Sequence, residues 1–330
     1  MNPIQKCAFL FIFFLTNIAH ADPLPSWNNT PNKKNIIEFV QTITDKTNKN
    51  YVPRENRIAT FDNDGTLWVE QPMYTEGFFV FDQIKSQASQ HPEWKTTKPY
   101  SAVLSSDHQA LTNLSTKDIA TLVAETHSNM TIEAFNKAVK HWLATTKDHR
   151  YHHYYTQLIY QPMLEVMNYL RENNFTVYIV SGGGQEFVRA FSQPTYQVPV
   201  DHVIGSTVKT KYLYQNKQPA LIKMPEILFI DDHAGKPEAI NLFIGQKPLM
   251  AFGNSNGDQQ MLEWTQSGSG KRFMMLIHHD DQKREYAYGP DSKVGTFSNA
   301  LMSEAVENHW HVVSMKNDWK VIFPFDKDKK

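Results

Sequence analysis

Two aspartates two residues apart, Asp62 and Asp64, stand in the stretch Phe61-Asp62-Asn63-Asp64-Gly65-Thr66-Leu67-Trp68. In an extended chain such residues share a face, and a tight turn can aim both side chains at one small ligand. A pair of this kind suits one nucleophile and one acid. The preceding segment, Arg57-Ile58-Ala59-Thr60-Phe61, is apolar and β-prone, which predicts a buried strand delivering the carboxylates to its carboxyl end. Gly65 and Thr66 then turn the chain, and in open α/β sheets that edge is where ligands bind. An Asp-rich turn standing alone is also an ordinary solvated loop, so the rest of the chain must decide.

Three later segments repeat the order of apolar strand, short polar turn and helix. Phe175 to Val180 runs into Ser181-Gly182-Gly183-Gly184, with a helix expected over Gln185 to Phe191. Glycines let backbone amides approach oxygen atoms and a helix start adds positive dipole, so the segment reads as a phosphate seat or, standing alone, equally as a plain strand-to-helix turn. Ile227 to Ile230 leads through Asp231 and Asp232 to His233-Ala234-Gly235-Lys236-Pro237-Glu238, a helix opening with proline in its first turn. A lysine at a helix start is usually solvated because the dipole disfavours it, and that misfit favours a role for Lys236. Asp231 and Asp232 are read as turn-capping and supporting groups with a rival claim to a metal. Pro248 to Phe252 precedes Gly253-Asn254-Ser255-Asn256-Gly257-Asp258 and a helix over Gln259 to Trp264.

In this order the four segments, covering about residues 57 to 264, resemble the haloacid dehalogenase-like (HAD) phosphatases, whose first motif reads DxDGT after a hydrophobic strand. Within that group the look is of secreted relatives of the phosphoserine phosphatase type. The resemblance implies a Mg²⁺-dependent phosphatase that works through a phosphoaspartyl intermediate. Asp62 would be the nucleophile and Asp64 the acid and base. Ser181, with Gly182 beside it, would hold the phosphoryl group, and Lys236 would offset the repulsion between two anions. The fourth family motif is usually Gly-Asp-x-x-x-Asp, but here Asn254 replaces the first acid. Its amide oxygen can bind Mg²⁺ while bringing no charge. The implied metal set is Asp62, Asp64 through its backbone carbonyl, Asn254 and Asp258, the last reaching the metal through water or else holding Lys236. Hydrolytic dehalogenation on the same fold needs neither the second aspartate nor a metal, and Asp64 argues against it. Asn254 also motivates a catalytically impaired, phosphate- or ligand-binding protein, and phosphotransfer to another alcohol through the same intermediate stays open.

The elements that must position these segments are those of an α/β fold, a Rossmann-like (HAD) parallel sheet with helices on both faces. Between the first two segments the apolar spacing turns helical over Phe78 to Ile84, Thr116 to Thr126 and Thr131 to Ala144, with Ser115 or Thr116 and Thr131 as N-caps. An insertion of about 90 residues is too long for a loop, and by resemblance it is a helical cap that excludes water and sets substrate choice. The expected division is a signal peptide over 1–21, a lead-in and first part of the core over 22–68, the cap over 69–160, and the remaining core with C-terminal strands over 161–330. His149, His152 and His153 in the insertion read as a polar, aromatic helix face, since Arg150 would repel a cation. Arg150 is the insertion's one arginine able to clamp a substrate carboxylate.

Residues 1–21 hold Lys6, the apolar run Cys7 to Leu15 and the small-residue site Ala19-His20-Ala21, the pattern of a signal peptide. The chain is therefore expected to start at Asp22 after cleavage and to work in the periplasm or outside the cell. Cys7 is the only cysteine, so the mature chain has no disulfide to draw on. Net charge is −1, with 33 basic against 34 acidic residues, which gives no electrostatic case for nucleic acid. No later apolar run is long enough to span a bilayer, and the expected partner is a small phosphomonoester. A helix is expected over Lys33 to Thr44, and strands over Arg272 to Ile277, His311 to Met315 and Val321 to Phe323. His278 to Asp281 reads as an exposed edge loop in preference to a second metal site. Ser267-Gly268-Ser269-Gly270-Lys271 lacks the GxxxxGK[ST] spacing and precedes a strand, so it is not a nucleotide loop.

Overall fold

A computed structural model of the protein describes residues 21–327 apart from Ser106 and Asn216. All but the last residue of the expected signal peptide lies outside them. Seven strands form one sheet: β1 (Ile58–Phe61), β2 (Thr176–Gly184), β3 (Val203–Gln215), β4 (Gln218–Phe229), β5 (Met250–Gly253), β6 (Phe273–His278) and β7 (His311–Ser314). Their spatial order is β4-β3-β2-β1-β5-β6-β7. Every neighbouring pair is parallel except β3 and β4. β1 is central and buried throughout, paired through Ala59 to Val177 on one side and Thr60 to Ala251 on the other.

Alternation along the strands feeds two cores, because successive side chains point to opposite faces. On one face Ala59, Phe61, Ile179, Phe252 and Met275 pack with Phe39 and Val40 of the helix Pro31–Thr44 and Met163 and Val166 of Gln161–Glu172. On the other, Val180, Ala251 and Leu276 pack with Ile240 of Gly235–Phe243, Leu262 of Gln259–Gln266 and Leu301 of Asn299–Glu307. The sheet thus carries helices on both faces, the Rossmann-like arrangement expected.

Between β1 and β2 lie helices Thr75–Gln87, Tyr100–Ser105, His108–Thr112, Thr116–His127 and Ile132–Thr145. Ser115 and Thr131 do cap the last two, accepting from Asp118 N and Ala134 N. These helices have a small core of their own around Val80, Phe81, Ile84, Trp94, Val103 and Leu122. Phe79 joins them to the main body by packing against Phe187, with ring centroids 5.6 Å apart.

Three expectations are corrected. Ile227 to Ile230 is not another parallel strand but overlaps the end of an antiparallel hairpin, β3–β4, which leaves β2 after Ser206. The apolar run Ile227-Leu228 suggested a buried strand, but in the hairpin these residues are 54 % and 62 % exposed. The hairpin reaches the inserted helices, where Lys223 N donates to Met130 O at 2.9 Å and Asn129 N to Lys223 O at 2.8 Å. Val321 to Phe323 forms no strand; Ile322 and Phe323 are simply buried, and Ile322 O accepts from Gln161 N. His149 to His153 is a turn and not a helix face, held by Asp148 Oδ1, which accepts from Arg150 N and Tyr151 N at 2.8 Å each.

Candidate active site

The ends of β1, β2 and β5 and the start of the helix Gly235–Phe243 converge at the carboxyl edge of the sheet. Lys236, only 2 % exposed, is the hub. Its ammonium donates to Asp62 Oδ1 at 2.6 Å, Asp258 Oδ1 at 2.7 Å and Val180 O at 2.9 Å, so all three protons are used. Burial alone would lower this ammonium, but Asp258, Asp62 and Asp231 hold it well above its ordinary value. Burial and the nearby Asp258 push Asp62 well up, against the pull of Lys236. The lysine that a helix start disfavours is thus explained by two buried carboxylates.

Asp258 commits both oxygens internally. Oδ2 accepts from Asn254 N at 2.9 Å and Ser255 N at 3.0 Å, closing the turn after β5. Of the two roles the sequence left open for Asp258, holding Lys236 is the one its geometry displays. Asp64 is half-buried, and Trp68 Nε1 donates to its Oδ1 at 2.9 Å. Burial raises its carboxyl to about 6 even though Trp68 pulls the other way, while Glu76 adds to the rise. Ser181 is fully buried at the end of β2, and its Oγ accepts from Gly183 N at 3.1 Å. The point where a Cβ would stand on Gly183 lies 3.3 Å from Ser181 Oγ, 3.2 Å from Glu76 Oε2 and 3.5 Å from Asp64 Oδ2. Three polar groups from β1, β2 and the inserted helices therefore surround one small volume, which a glycine keeps open.

The family model of the haloacid dehalogenase-like hydrolases matches residues 59–263, more than half of the 330-residue chain. The chain belongs to this family. Among solved structures, a conserved functionally unknown protein from Anaerococcus prevotii DSM 20548 is similar at 16% identity, over 89% of this chain and 94% of that one, with a TM-score of 0.59. A protein with unknown function from Bordetella pertussis Tohama I matches at 12% identity, over 79% and 99%, with a TM-score of 0.47. A phosphoserine phosphohydrolase-like protein from Francisella tularensis subsp. tularensis SCHU S4 matches at 12% identity, over 78% and 94%, with a TM-score of 0.38. At 16% identity the first of these speaks to the fold and not to the reaction. No curated protein matches the chain by sequence.

In this HAD hydrolase the glycine seat differs from its sequence reading. Gly184 N donates to Glu76 Oε2 at 2.7 Å and Gly183 N to Ser181 Oγ, so both amides serve internal partners. Glu76 comes from the first turn of Thr75–Gln87 and its other oxygen lies 3.1 Å from His127 Nε2. Arg150 is no substrate clamp: it donates to Glu285 O at 2.8 Å and Gln282 O at 3.2 Å and stacks 4.1 Å over Tyr286. Asp232 Oδ1 accepts from His233 N, as a turn cap does. Burial raises Asp231 to about 7 despite Lys236 nearby.

The segment after β6 is not an exposed edge loop. His279 is 2 % exposed, with Nε2 2.7 Å from Gly65 O and Nδ1 3.2 Å from Glu285 Oε2. Burial would lower His279, yet Glu285 and Glu70 raise it overall. Asp280 instead accepts from Ser314 Oγ and Lys316 N, capping the turn Met315–Asp318.

Glu70, Glu76, His127, Glu285 and Tyr288 escaped the sequence reading, and His279 stood there only within the segment His278 to Asp281. The available signal was a carboxylate set directly after the apolar Leu67-Trp68-Val69, since unpaired acids are almost never buried. Glu70 is 2 % exposed and its Oε1 accepts from Asn254 Nδ2 at 2.6 Å and Tyr288 OH at 2.7 Å. Burial lifts it to about 7, against His279, Tyr288 and Asn254.

Among the described residues no cluster of three or more histidine, cysteine or acidic side chains has metal-holding geometry. A hard cation would rely on mixed oxygen donors. The Asp62 carboxylate, the Asp64 carbonyl and the Asn254 amide oxygen supply these, and all are of the kind Mg²⁺ prefers. The Asn254 amide is 1 % exposed, and Thr66 Oγ1 donates to its Oδ1 at 3.1 Å. With Nδ2 fixed on Glu70, the oxygen is the atom left for a cation, so the donor set fits.

Proposed function

We propose that the protein is a Mg²⁺-dependent phosphatase that hydrolyses a small phosphomonoester through a phosphoaspartyl intermediate on Asp62. The observation that carries this reading is Lys236 Nζ engaging Asp62 Oδ1 alone of that carboxylate's oxygens, while Ser181 Oγ and Asp64 Oδ2 flank the same small volume over Gly183. A bare carboxylate and a phosphate dianion repel each other, and a fixed ammonium between them lowers that barrier.

In the first half-reaction Asp62 Oδ2 attacks phosphorus, the bond from phosphorus to the ester oxygen breaks, and Asp64 gives its proton to the departing alcohol. A carboxyl raised to about 6 by burial can hold that proton in weakly acidic to neutral solution. In the second, the Asp64 carboxylate takes a proton from water as the water oxygen attacks phosphorus, releasing phosphate and restoring Asp62. Ser181 donates its hydroxyl proton to a phosphoryl oxygen. A bound Mg²⁺, held by Asp62, the Asp64 carbonyl and Asn254, supplies charge neutralisation for the phosphoryl oxygens.

The inserted helices, 69–160, act in this reading as a cap that limits the site to small esters. Glu76 ties their first helix to Gly184, and Lys223 N and O bond with Met130 and Asn129 at their far side. The leader over 1–21 would place the enzyme in the periplasm or outside the cell. A panel of phosphomonoesters assayed by phosphate release, with and without Mg²⁺, tests the reading. Turnover is expected with Mg²⁺ for a subset of small esters and none with Asp62→Asn; full turnover by that variant overturns the mechanism.

A further inference from the structure

The fourth motif of this chain lacks the acid that the family pattern places at 254, yet a buried carboxylate from elsewhere touches the residue that replaced it. Glu70 Oε1 lies 2.6 Å from Asn254 Nδ2. Two glycines clear the space for this contact. A Cβ on Gly65 would stand 2.1 Å from Asn254 Nδ2 and 2.3 Å from Glu70 Oε1, and φ there is +73°. A Cβ on Gly295 would stand 1.8 Å from the same oxygen. Tyr288 completes the enclosure by donating to Oε1 at 2.7 Å. Gly295 and Tyr288 both lie beyond residue 263, where the family match ends, so this chain's own C-terminal segment encloses the carboxylate.

The orientation of the amide follows from electrostatics. Glu70 Oε1 already accepts from Tyr288 OH, so a reversed Asn254 would bring a second acceptor to 2.6 Å of it, where two acceptors repel. Nδ2 therefore faces Glu70, and Oδ1, which accepts one bond from Thr66, keeps its second lone pair. An aspartate at 254 would meet the same repulsion in either orientation.

We propose that Glu70 and Asn254 are an exchanged acid–amide pair: position 70 supplies the carboxyl group that the fourth motif lacks at 254, and its grip on Nδ2 presents the Asn254 oxygen to the cation. This rests on the Mg²⁺-dependent reading above. Glu70 is a positioning residue, acting on the metal through Asn254. On sequence alone Asn254 is a simple loss of an acid; with Glu70 in place the carboxyl group is relocated.

The test measures Mg²⁺ binding by calorimetry and the midpoint of thermal unfolding without metal, in the wild type, Glu70→Gln, Asn254→Asp and the double exchange Glu70→Gln/Asn254→Asp. Wild-type protein that binds no Mg²⁺ overturns the Mg²⁺-dependent reading, and this pairing with it. Given wild-type binding, Glu70→Gln should weaken Mg²⁺ by about 10- to 100-fold, the usual range for partners that orient a metal ligand. Asn254→Asp should lower the unfolding midpoint and gain no affinity, because two carboxylates then meet in a buried site. The double exchange places an amide donor opposite a carboxylate again, and should recover both midpoint and affinity beyond the sum of the single changes. Glu70→Gln binding as tightly as wild type, or Asn254→Asp tightening Mg²⁺ with an unchanged midpoint, or a double exchange no better than additive, overturns the pairing while leaving the phosphatase reading intact.

Discussion

Lys236 Nζ lies 2.6 Å from Asp62 Oδ1, an ion pair in which neither side chain is more than 9 % exposed. The same ammonium reaches Asp258 at 2.7 Å, so one cation serves two buried carboxylates. Such an arrangement crowds two carboxyl groups around one cation where water cannot screen them, and burial with the nearby Asp258 pushes Asp62 well up. It is tolerable where a further cation is to be bound, and it makes Lys236 structural as well as chemical.

Lys236→Met should therefore abolish turnover and also destabilise the fold by about 3–5 kcal/mol, because removing one partner leaves buried charge uncompensated. Urea unfolding near neutral pH checks the second part. A variant with wild-type stability would mean that Asp62 and Asp258 are not held by this lysine.

How much of this was legible follows from where each residue gets its meaning. Asp62 and Ser181 stand at the ends of apolar strands and Asp64, Lys236, Asn254 and Asp258 in the turns or helix starts that follow such runs, so local pattern alone placed them. Glu70 and His279 take their meaning from partners far along the chain: Glu70 meets Asn254 184 residues later, and His279 meets Gly65 214 residues earlier. No periodicity carries such a pairing. The β3–β4 hairpin was missed for a related reason, since Ile227, Leu228 and Ile230 look like core residues yet are 54 %, 62 % and 57 % exposed. Arg150 misled because a lone arginine in an insertion looks available, while its guanidinium is spent on backbone carbonyls of 282 and 285.

Ser181→Ala should lower kcat/KM by about 10²–10³, the usual effect of losing one preorganised donor to developing charge. Its stability cost should be small, because Ser181 Oγ accepts a single local bond from Gly183 N. Steady-state kinetics beside thermal unfolding separate the two effects, and an unchanged kcat/KM removes Ser181 from the reaction.

His279 gives the protein a pH-dependent stability whose sign is fixed. Its folded value is raised above that of an unfolded histidine, about 6.5. The folded state then binds more protons than the unfolded state between those values. Stability from this group is fully present below about pH 6.5 and is lost as pH rises through the higher folded value. The groups facing it are Glu285, Glu70, the Gly65 carbonyl, and the rings of Tyr160 and Tyr288. His279→Gln can still donate to Gly65 O but carries no charge. Its urea midpoint should lie below wild type at acidic pH, and the two curves should converge as pH rises. Parallel curves across the range would show that His279 is neutral in the folded protein.

The inserted helices are seated on the core by packing at their base, beside the backbone bonds of Lys223 with Asn129 and Met130, and two aromatic residues contrast that base with the exposed face of the hairpin. Phe79 is fully buried and meets His127, Phe135, Trp142 and Phe187 at centroid distances of 5.6 to 5.9 Å. Deleting that ring should cost about 3–5 kcal/mol, as large core truncations do. Tyr212 on β3 is 64 % exposed, and Tyr212→Ser should fall within about 0.5 kcal/mol of wild type. Activity should follow the same division. Phe79 lies on the helix that carries Glu76 to Gly184 N, so Phe79→Ala should raise KM and lower kcat together, while Tyr212→Ser leaves both unchanged. Should the tip variant lose activity while Phe79→Ala retains it, the inserted helices are held from the hairpin end, and the assignment of their base as the anchor is wrong.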